Sequence, residues 1–339
     1  MKRVWILDEG SQGHVVQSRG LVRELAKVVD LQVTEVPARL VIPSGLVRPL
    51  VKRLLHRWHW NWLFHATHSV GTHPVGKPDL LISSGPRSML ALEHLSNAFG
   101  CPAVFVQGTV EIPENTFTAV MRPFEGRHRE DFIFIPLLFT DITPESADAA
   151  GNSYLAENRI RPQGSVNTLL IGASSAKIRF SQDDWKGIVR MVNDLWKRDG
   201  SQWLITTSGR TGRELEDVLR NGIEPDAILE AVWYSHAPRK VTKAFLGLAD
   251  RVFVTVDSLT MLTEAVASGR PTCALCPAAL SGKRTNTHLQ YTLDLAANGF
   301  ISRIQPGSET EPPPMPPAPP PVDYSDAIRS LVTRLKWNA

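Results

Sequence analysis

The chain is poor in cysteine, and the three it has, Cys101, Cys273 and Cys276, form an odd set. That count argues against a disulfide framework and points to a reducing compartment. Cys273-Ala-Leu-Cys276 has C-x-x-C form, but no second pair for zinc accompanies it. The run Thr272–Cys276 reads as a buried strand, so core packing is the expected role of both thiols. No apolar run approaches the roughly 20 residues of a membrane-spanning helix. Met1-Lys-Arg-Val-Trp-Ile-Leu-Asp8 turns acidic too soon for a signal peptide and reads as a first strand. A cytoplasmic protein is expected, or one attached peripherally at the inner face of the cytoplasmic membrane. Asp-x-Asp is absent, so a metal-bridged nucleotide site has no evident ligands. No tyrosine has a lysine four residues on: Tyr154 meets Asn158, Tyr234 Pro238, Tyr291 Leu295 and Tyr324 Ile328. The Tyr/Lys pair of short-chain epimerases and dehydrogenases is therefore missing.

Acid is also missing over a long stretch. Between Val36 and Pro78 there is no Asp or Glu, whereas Arg39, Arg48, Lys52, Arg53, Arg57 and Lys77 are present. The total charge is only +3, so nucleic acid is not an expected partner. Leu46 to Phe64 is both basic and rich in tryptophan. Such a mixture suits an anionic membrane interface or a lipid-linked substrate, and a peripheral membrane contact through 46–64 is expected. The plainer alternative is a core helix with a charged back face. His56, His59, His65, His68 and His73 crowd the same segment with two H-x-x-H spacings, but no carboxylate accompanies them in sequence and no metal site is expected.

What the chain does have is length and alternation. Its 339 residues, 42% hydrophobic and 21% charged, suffice for two domains with ample cores. Strand candidates in the first half are Val4–Leu7, Leu31–Val36, Leu80–Ser83, Ala103–Val106, Thr118–Met121 and Phe132–Ile135. The second half offers Leu169–Ile171, Trp203–Thr207, Ile228–Val232, Val252–Val256 and Thr272–Cys276. Helical patterns lie between several of them, which predicts an α/β chain with one doubly wound sheet per half. The expected divisions are 1–155 for a first domain, 164–306 for a second, a proline-rich spacer over 307–322 and a final helix within 323–339. Eight of the ten residues from Pro312 to Pro321 are proline, which cannot donate to a sheet or helix and favours an extended spacer.

Several strand ends carry groups suited to a ligand. Val252–Val256 runs into Asp257-Ser258, residues that cap helices, and Leu259, Leu262 and Val266 then share one helical face. Gly269 and Pro271 end that helix. A helix N-terminus placed so favours an anion such as a diphosphate. Glu264 lies opposite the apolar stripe, on the face of Thr260, where it either accepts from a ribose diol or is simply solvated. Gly172 follows the strand Leu169–Ile171, and Ser208-Gly209-Arg210 follows Trp203–Thr207; a hydroxyl, an open backbone and a guanidinium together can grip a diphosphate without metal. In the first half, Gly10, Gly13 and His14 lie between the first strand and its helix, with Gln17 one turn on. His14 there serves either as a general base or as a polar lid over the turn. Ser84 and Gly85, and Glu111, also follow strands and are expected at the carboxyl edge of the same sheet.

Asp8-x-x-x-x-Gly13-His14-x-x-Gln17, Ser208-Gly-Arg210 and Asp257-Ser258-x-x-Met261-x-x-Glu264-Ala265-x-x-x-Gly269-x-Pro271 together resemble the mitochondrial-fission-protein family. That family includes the plant elongated-mitochondria protein and many bacterial proteins taken to be glycosyltransferases of the two-Rossmann-domain GT-B type. The Gly13-His14 loop is also similar to the first glycine loop of the lipid-linked N-acetylglucosamine transferase of peptidoglycan synthesis, though poorer in glycine. The resemblance implies two Rossmann-like domains facing a cleft, with a C-terminal helix crossing back to the first. It implies an inverting, metal-independent glycosyltransferase that needs no cofactor beyond its nucleoside-diphosphate sugar and acts on a cell-envelope glycan or lipid-linked acceptor. Glu264 would hold the ribose, and Gly172, Ser208, Gly209, Arg210, Asp257, Ser258 and Thr260 would surround the diphosphate. His14 or Glu111 would deprotonate the acceptor, beside a loop formed by Gly10, Gly13, Gln17, Ser84 and Gly85. The plant relative implies the alternative, a non-catalytic membrane-associated adaptor.

Overall fold

Short β-branched and aromatic runs alternate with amphipathic stretches along the chain, and the computed structural model shows them as strands and helices of two units. It describes residues 1–41, 47–58, 60–73, 75–109, 112–123, 132–175, 178–279, 287–307 and 316–337. The first unit comprises 1–141 and 322–339, and the second 142–321. The first division thus falls between residues 141 and 142, ahead of residue 155. In chain order the first unit holds β1 (Lys2–Asp8), α1 (Gln12–Ala26), β2 (Leu31–Leu40), α2 (Val47–Trp58), α3 (Asn61–Thr67), β3 (His68–Val70), β4 (Leu80–Ser84), α4 (Met89–Phe99), β5 (Ala103–Val106), β6 (Ala119–Arg122) and β7 (Phe132–Phe134). The second holds α5 (Pro144–Asn158), β8 (Val166–Ile171), α6 (Gln182–Asp199), β9 (Gln202–Thr207), α7 (Arg213–Gly222), β10 (Ile228–Val232), α8 (Thr242–Leu248), β11 (Arg251–Thr255), α9 (Leu259–Ala267), β12 (Thr272–Leu275), α10 (Thr287–Ala297) and β13 (Ser302–Ile304). The chain ends with α11 (Ser325–Arg334), back in the first unit.

Strand order in the first sheet is β3-β2-β1-β4-β5-β6-β7, parallel except for β3, which runs antiparallel to β2. The second sheet, β10-β9-β8-β11-β12-β13, is parallel throughout. All eleven predicted strands are present. The two the pattern misses, β3 and β13, are edge strands of three residues, too short to show an alternation. Parallel strands covered on both faces must be apolar on both, and β4, β5, β8 and β11 are buried at every residue. Cys273 and Cys276 are buried in that core and form no disulfide, as expected.

Within the second unit α5 and α8 cross at small residues. A β-carbon at Gly247 would collide with the backbone of Ala147, and one at Gly151 would come within 3.0 Å of Leu248. In the first unit α11 buries Ala327, Ile328, Leu331 and Val332, and Arg334 donates to Phe132 O at 3.4 Å. Tyr324, just ahead of it, stacks on Phe139 (4.7 Å between centroids) and donates to Leu138 O at 3.2 Å. Residues 316–321 of the proline-rich stretch carry no helix or strand, while 308–315 lie outside the described residues. Among the described residues no helix is long and apolar enough to cross a membrane.

Candidate functional site

Each sheet reverses its winding once, between β1 and β4 in the first unit and between β8 and β11 in the second. Loops leaving the carboxyl ends of such strands diverge to opposite faces and open a crevice for ligand. Among the described residues, most of the strand-end groups singled out in the sequence lie at or beside these two places.

In the second unit, Gly172 leaves β8 and its N–H donates to Thr255 Oγ1 of β11 at 2.8 Å. The Asp257 carboxylate packs on Gly172 so closely that a β-carbon there would stand 2.5 Å from Oδ2. Ala173 follows at φ 149°, a backbone that L-residues rarely adopt, and such strain persists only where the surroundings enforce it. Asp257 is 1% exposed, and Arg210 reaches it from the β9 loop, Nη2 donating to Oδ2 at 3.0 Å. Burial pushes the Asp257 carboxyl above its ordinary value; the Thr255 hydroxyl, the Arg210 charge and the Ala173 N–H oppose that rise without cancelling it. Arg210 keeps about half of its side chain exposed, so the guanidinium is anchored at one edge and open at the other.

Ser208 ties the same loop to β8. Its hydroxyl donates to Gly172 O, its N–H donates to Thr211 Oγ1 at 2.9 Å, and its Oγ accepts from the Arg210 N–H at 3.2 Å. A β-carbon at Gly209 would lie 3.0 Å from the Tyr234 ring, so a side chain fits there only if that ring gives way. Tyr234 was not picked out in the sequence. It follows β10, is half exposed, and is fixed by its N–H donating to Thr207 Oγ1 at 2.8 Å. Glu216 of α7 secures this arrangement from below: fully buried, it accepts from Thr207 Oγ1 at 2.6 Å and from the Ser235 N–H at 3.2 Å. Burial pushes the Glu216 carboxyl up, but the hydrogen bonds of Ser235, Thr207 and His236 outweigh it and leave the group below its ordinary value. Neither residue had a sequence signal, since Glu216 reads as one more acid in a helix first turn.

Ser258, and not Asp257, is the N-cap of α9, accepting from the Met261 N–H at 3.4 Å. The Leu259 and Thr260 N–H groups precede the first intrahelical bond and remain available at the positive end of the helix. Thr260 and Glu264 are half-buried, one turn apart along α9.

In the first unit the β1 and β4 loops interlock. Gly10 turns at φ 88° with its N–H donating to Asp8 Oδ1 at 2.7 Å, and the Arg39 guanidinium would lie 2.9 Å from a β-carbon at Gly10. Gly13 stands in the first turn of α1. Glu9, absent from the sequence-based candidates, is the organising residue. It is buried and accepts from the N–H groups of Arg87 (2.7 Å) and Ser88 (3.1 Å), while its other oxygen meets His14 Nδ1 at 2.5 Å. Gly85, at φ 103°, is where a β-carbon would overlap both His14 and Glu9. Ser84 Oγ donates to His14 O and lies 3.1 Å from Ser18 Oγ. Gln17 is buried and accepts from Gln107 Nε2 at 2.7 Å; Gln107 itself is held at φ 90°. Glu111, the other candidate base, lies outside the described residues.

The histidine-rich segment is dispersed by the fold. His56 pairs with buried Glu93 of α4 at 2.7 Å, a carboxylate that the local sequence did not offer, and His68 stacks on Phe64. Burial lowers the His68 pKa to about 4. His59 lies outside the described residues. Among the described residues no group of three or more His, Cys, Asp or Glu is gathered as for a metal ion.

The family model described as mitochondrial fission ELM1 matches residues 12–321. No curated protein sequence matches the chain. Among solved structures, the chain is similar to UDP-bound MnaA of S. aureus, at 12% identity over 100% of this chain and 88% of that chain (TM-score 0.52). It is likewise similar to the UDP-GlcNAc 2-epimerase of Methanocaldococcus jannaschii in complex with UDP-GlcNAc and UDP, at 13% identity over 100% of both chains (TM-score 0.53). The ADP-heptose LPS heptosyltransferase II of E. coli is similar at 11% identity over 99% of both chains (TM-score 0.50). At such identities the likeness concerns the fold, and that fold is the two-unit Rossmann-like architecture expected of glycosyltransferases of the GT-B kind.

Proposed function

This chain belongs to the mitochondrial fission ELM1 family, and on that premise we propose that it is a glycosyltransferase using a nucleoside-diphosphate sugar. The observation that carries the reading is the cluster at the β8/β11 switch point, where Arg210 is anchored on buried Asp257 beside the N-terminus of α9. Ser208, Arg210, Ser258, Thr260 and the first-turn N–H groups of α9 hold the diphosphate, and Gly172 and Gly209 let it approach the backbone. Glu264 accepts from the ribose diol, and Tyr234 offers an exposed aromatic face beside Gly209 for the base. Donors fixed before the reaction stabilise the negative charge that develops on the departing nucleoside diphosphate, so the step needs no metal.

The first unit supplies the acceptor chemistry in this reading. His14, steadied by Glu9, takes the proton of an acceptor hydroxyl as its oxygen attacks the anomeric carbon and the diphosphate leaves from the opposite face. One inversion results. The acceptor is a cell-envelope glycan or a lipid-linked sugar, met in the cytoplasm. What supports the reading is the convergence of residues at both switch points, together with a fold similar to that of a heptosyltransferase.

Isothermal calorimetry against UDP, GDP, ADP and CMP tests it. One of them should bind saturably, and Glu264→Ala should weaken that binding by at least about tenfold, as loss of a charge-assisted contact does. A non-catalytic adaptor would bind none of them and ignore the substitution. The likeness to UDP-GlcNAc 2-epimerases favours a second reading. The absent Tyr/Lys pair argues only against the short-chain class. Incubation with UDP-GlcNAc alone separates the two: an epimerase changes the C2 configuration without any acceptor, and a transferase leaves the donor sugar intact.

A further inference from the structure

The acid-free stretch forms a surface that the donor and acceptor sites do not use. α2 docks on α4 through Val51 and Leu55, both buried, and α3 is anchored by Phe64, which stacks on His94 at 3.8 Å. The three tryptophans between and beside these anchors take no part in that packing. Trp58 is 53% exposed, Trp60 40% and Trp62 66%. They form a ladder, Trp58 on Trp60 at 5.1 Å and 12°, and Trp60 on Trp62 at 5.9 Å and 23°. Along α2, Leu50, Arg53 and Arg57 are exposed and lie at i, i+3 and i+7, hence on one face.

Three adjacent exposed indoles with an exposed leucine make an apolar patch of the kind that marks an interaction surface. The geometry selects the partner. A sugar-binding platform lays open ring faces side by side, but here neighbouring indoles stack on one another. Exposed indoles, each with an apolar body and one N–H, suit the headgroup boundary of a bilayer. Exposed arginines beside them, with no acid anywhere in 36–78, complement anionic headgroups.

We propose that the Trp58–Trp60–Trp62 ladder and the Leu50/Arg53/Arg57 face of α2 form a docking surface for an anionic lipid bilayer. The surface lies wholly within the first unit and stands independently of the nucleotide reading. Vesicle flotation of the full-length protein tests it, comparing phosphatidylcholine alone with vesicles of about one-third phosphatidylglycerol. Binding is expected on the anionic vesicles only, falling steeply as salt rises. Simultaneous W58A, W60A and W62A, and separately R53E with R57E, should each cut the bound fraction by about tenfold or more. Because these side chains are exposed, the far-ultraviolet circular dichroism of both variants should match wild type. In the unaltered protein, brominated acyl chains should quench tryptophan emission on binding, a readout that needs no variant. The proposal is overturned if wild type fails to float with anionic vesicles, if neutral vesicles serve equally, if brominated lipid does not quench, or if the tryptophan variant binds as wild type does. Retention on heparin without vesicle binding would also overturn it and reassign the face to a soluble polyanion.

Discussion

Glu9 and Asp257 are buried carboxylates at the switch points of the two sheets, on opposite strands of the pair, and their surroundings drive them in opposite directions. Burial pushes both up. For Asp257 nothing fully offsets it, and the group stays above its ordinary value with Arg210 as its cation. For Glu9 the hydrogen bond and charge of His14, and the N–H groups of Arg87 and Ser88, win, and the group lies below its ordinary 4.5. A carboxyl so lowered adds stability above its unfolded value and loses that contribution as pH falls through the lower folded value. Glu9→Gln should therefore cost about 1–3 kcal/mol near neutral pH, where it strips a charge from two N–H donors and a histidine. In urea melts followed from pH 7 down to about pH 3, the gap to wild type should close. A gap that stays constant would mean that Glu9 matters for packing alone.

At the scale of elements, the close crossing of α5 and α8 carries the sharpest prediction. Gly247 faces the Ala147 backbone with no space for a methyl group, and the obstacle is main chain that no rotamer change can move. Gly247→Ala should destabilise the second unit by about 3 kcal/mol, read as a lowered urea midpoint. Gly200→Ala is the control, because its φ of 71° is strained but open space surrounds it, so only the smaller backbone penalty of about 1 kcal/mol applies. Equal losses would show that backbone strain, and not the helix contact, decides the effect. The glycine pattern of these helices had no meaning in the sequence, since Gly151 and Gly247 are 96 residues apart and only the crossing makes them neighbours.

For the whole molecule, the decisive feature is that the first unit is built from both ends of the chain. α11 brings Ile328, Leu331 and Val332 into that unit's core, each worth about 1.5–3 kcal/mol when fully buried. Truncation after Pro321 should therefore unfold or loosen the first unit while the second keeps its structure. Hydrogen exchange would show it as lost protection in β1 and β4–β7 with β8–β12 unchanged. Uniform loss over both units would contradict the division, and no loss would mean that the helix is dispensable. Residues 142–321 alone should fold and retain the nucleotide affinity proposed for the full chain.

Eleven strands were legible in the sequence because parallel strands buried on both faces must be written as continuous apolar runs. The Asp257–Pro271 block was legible too, because a helix start and stop depend on neighbours a few residues away. β3 and β13 were not, since three-residue edge strands are defined by their partner and not by their own pattern. The local rule offered Asp257 or Ser258 as the cap and could not choose between them: the Asp257 carboxylate is drawn away to Arg210, 47 residues earlier in the chain, and Ser258 caps alone. Glu9, Glu216 and Tyr234 gained their roles only from the fold. Local pattern was enough to say where strands meet helices, and hence where loops would gather. Which acid near those loops is buried, and which histidine or arginine it holds, follows from contacts between strand ends far apart in the chain, which no local pattern encodes.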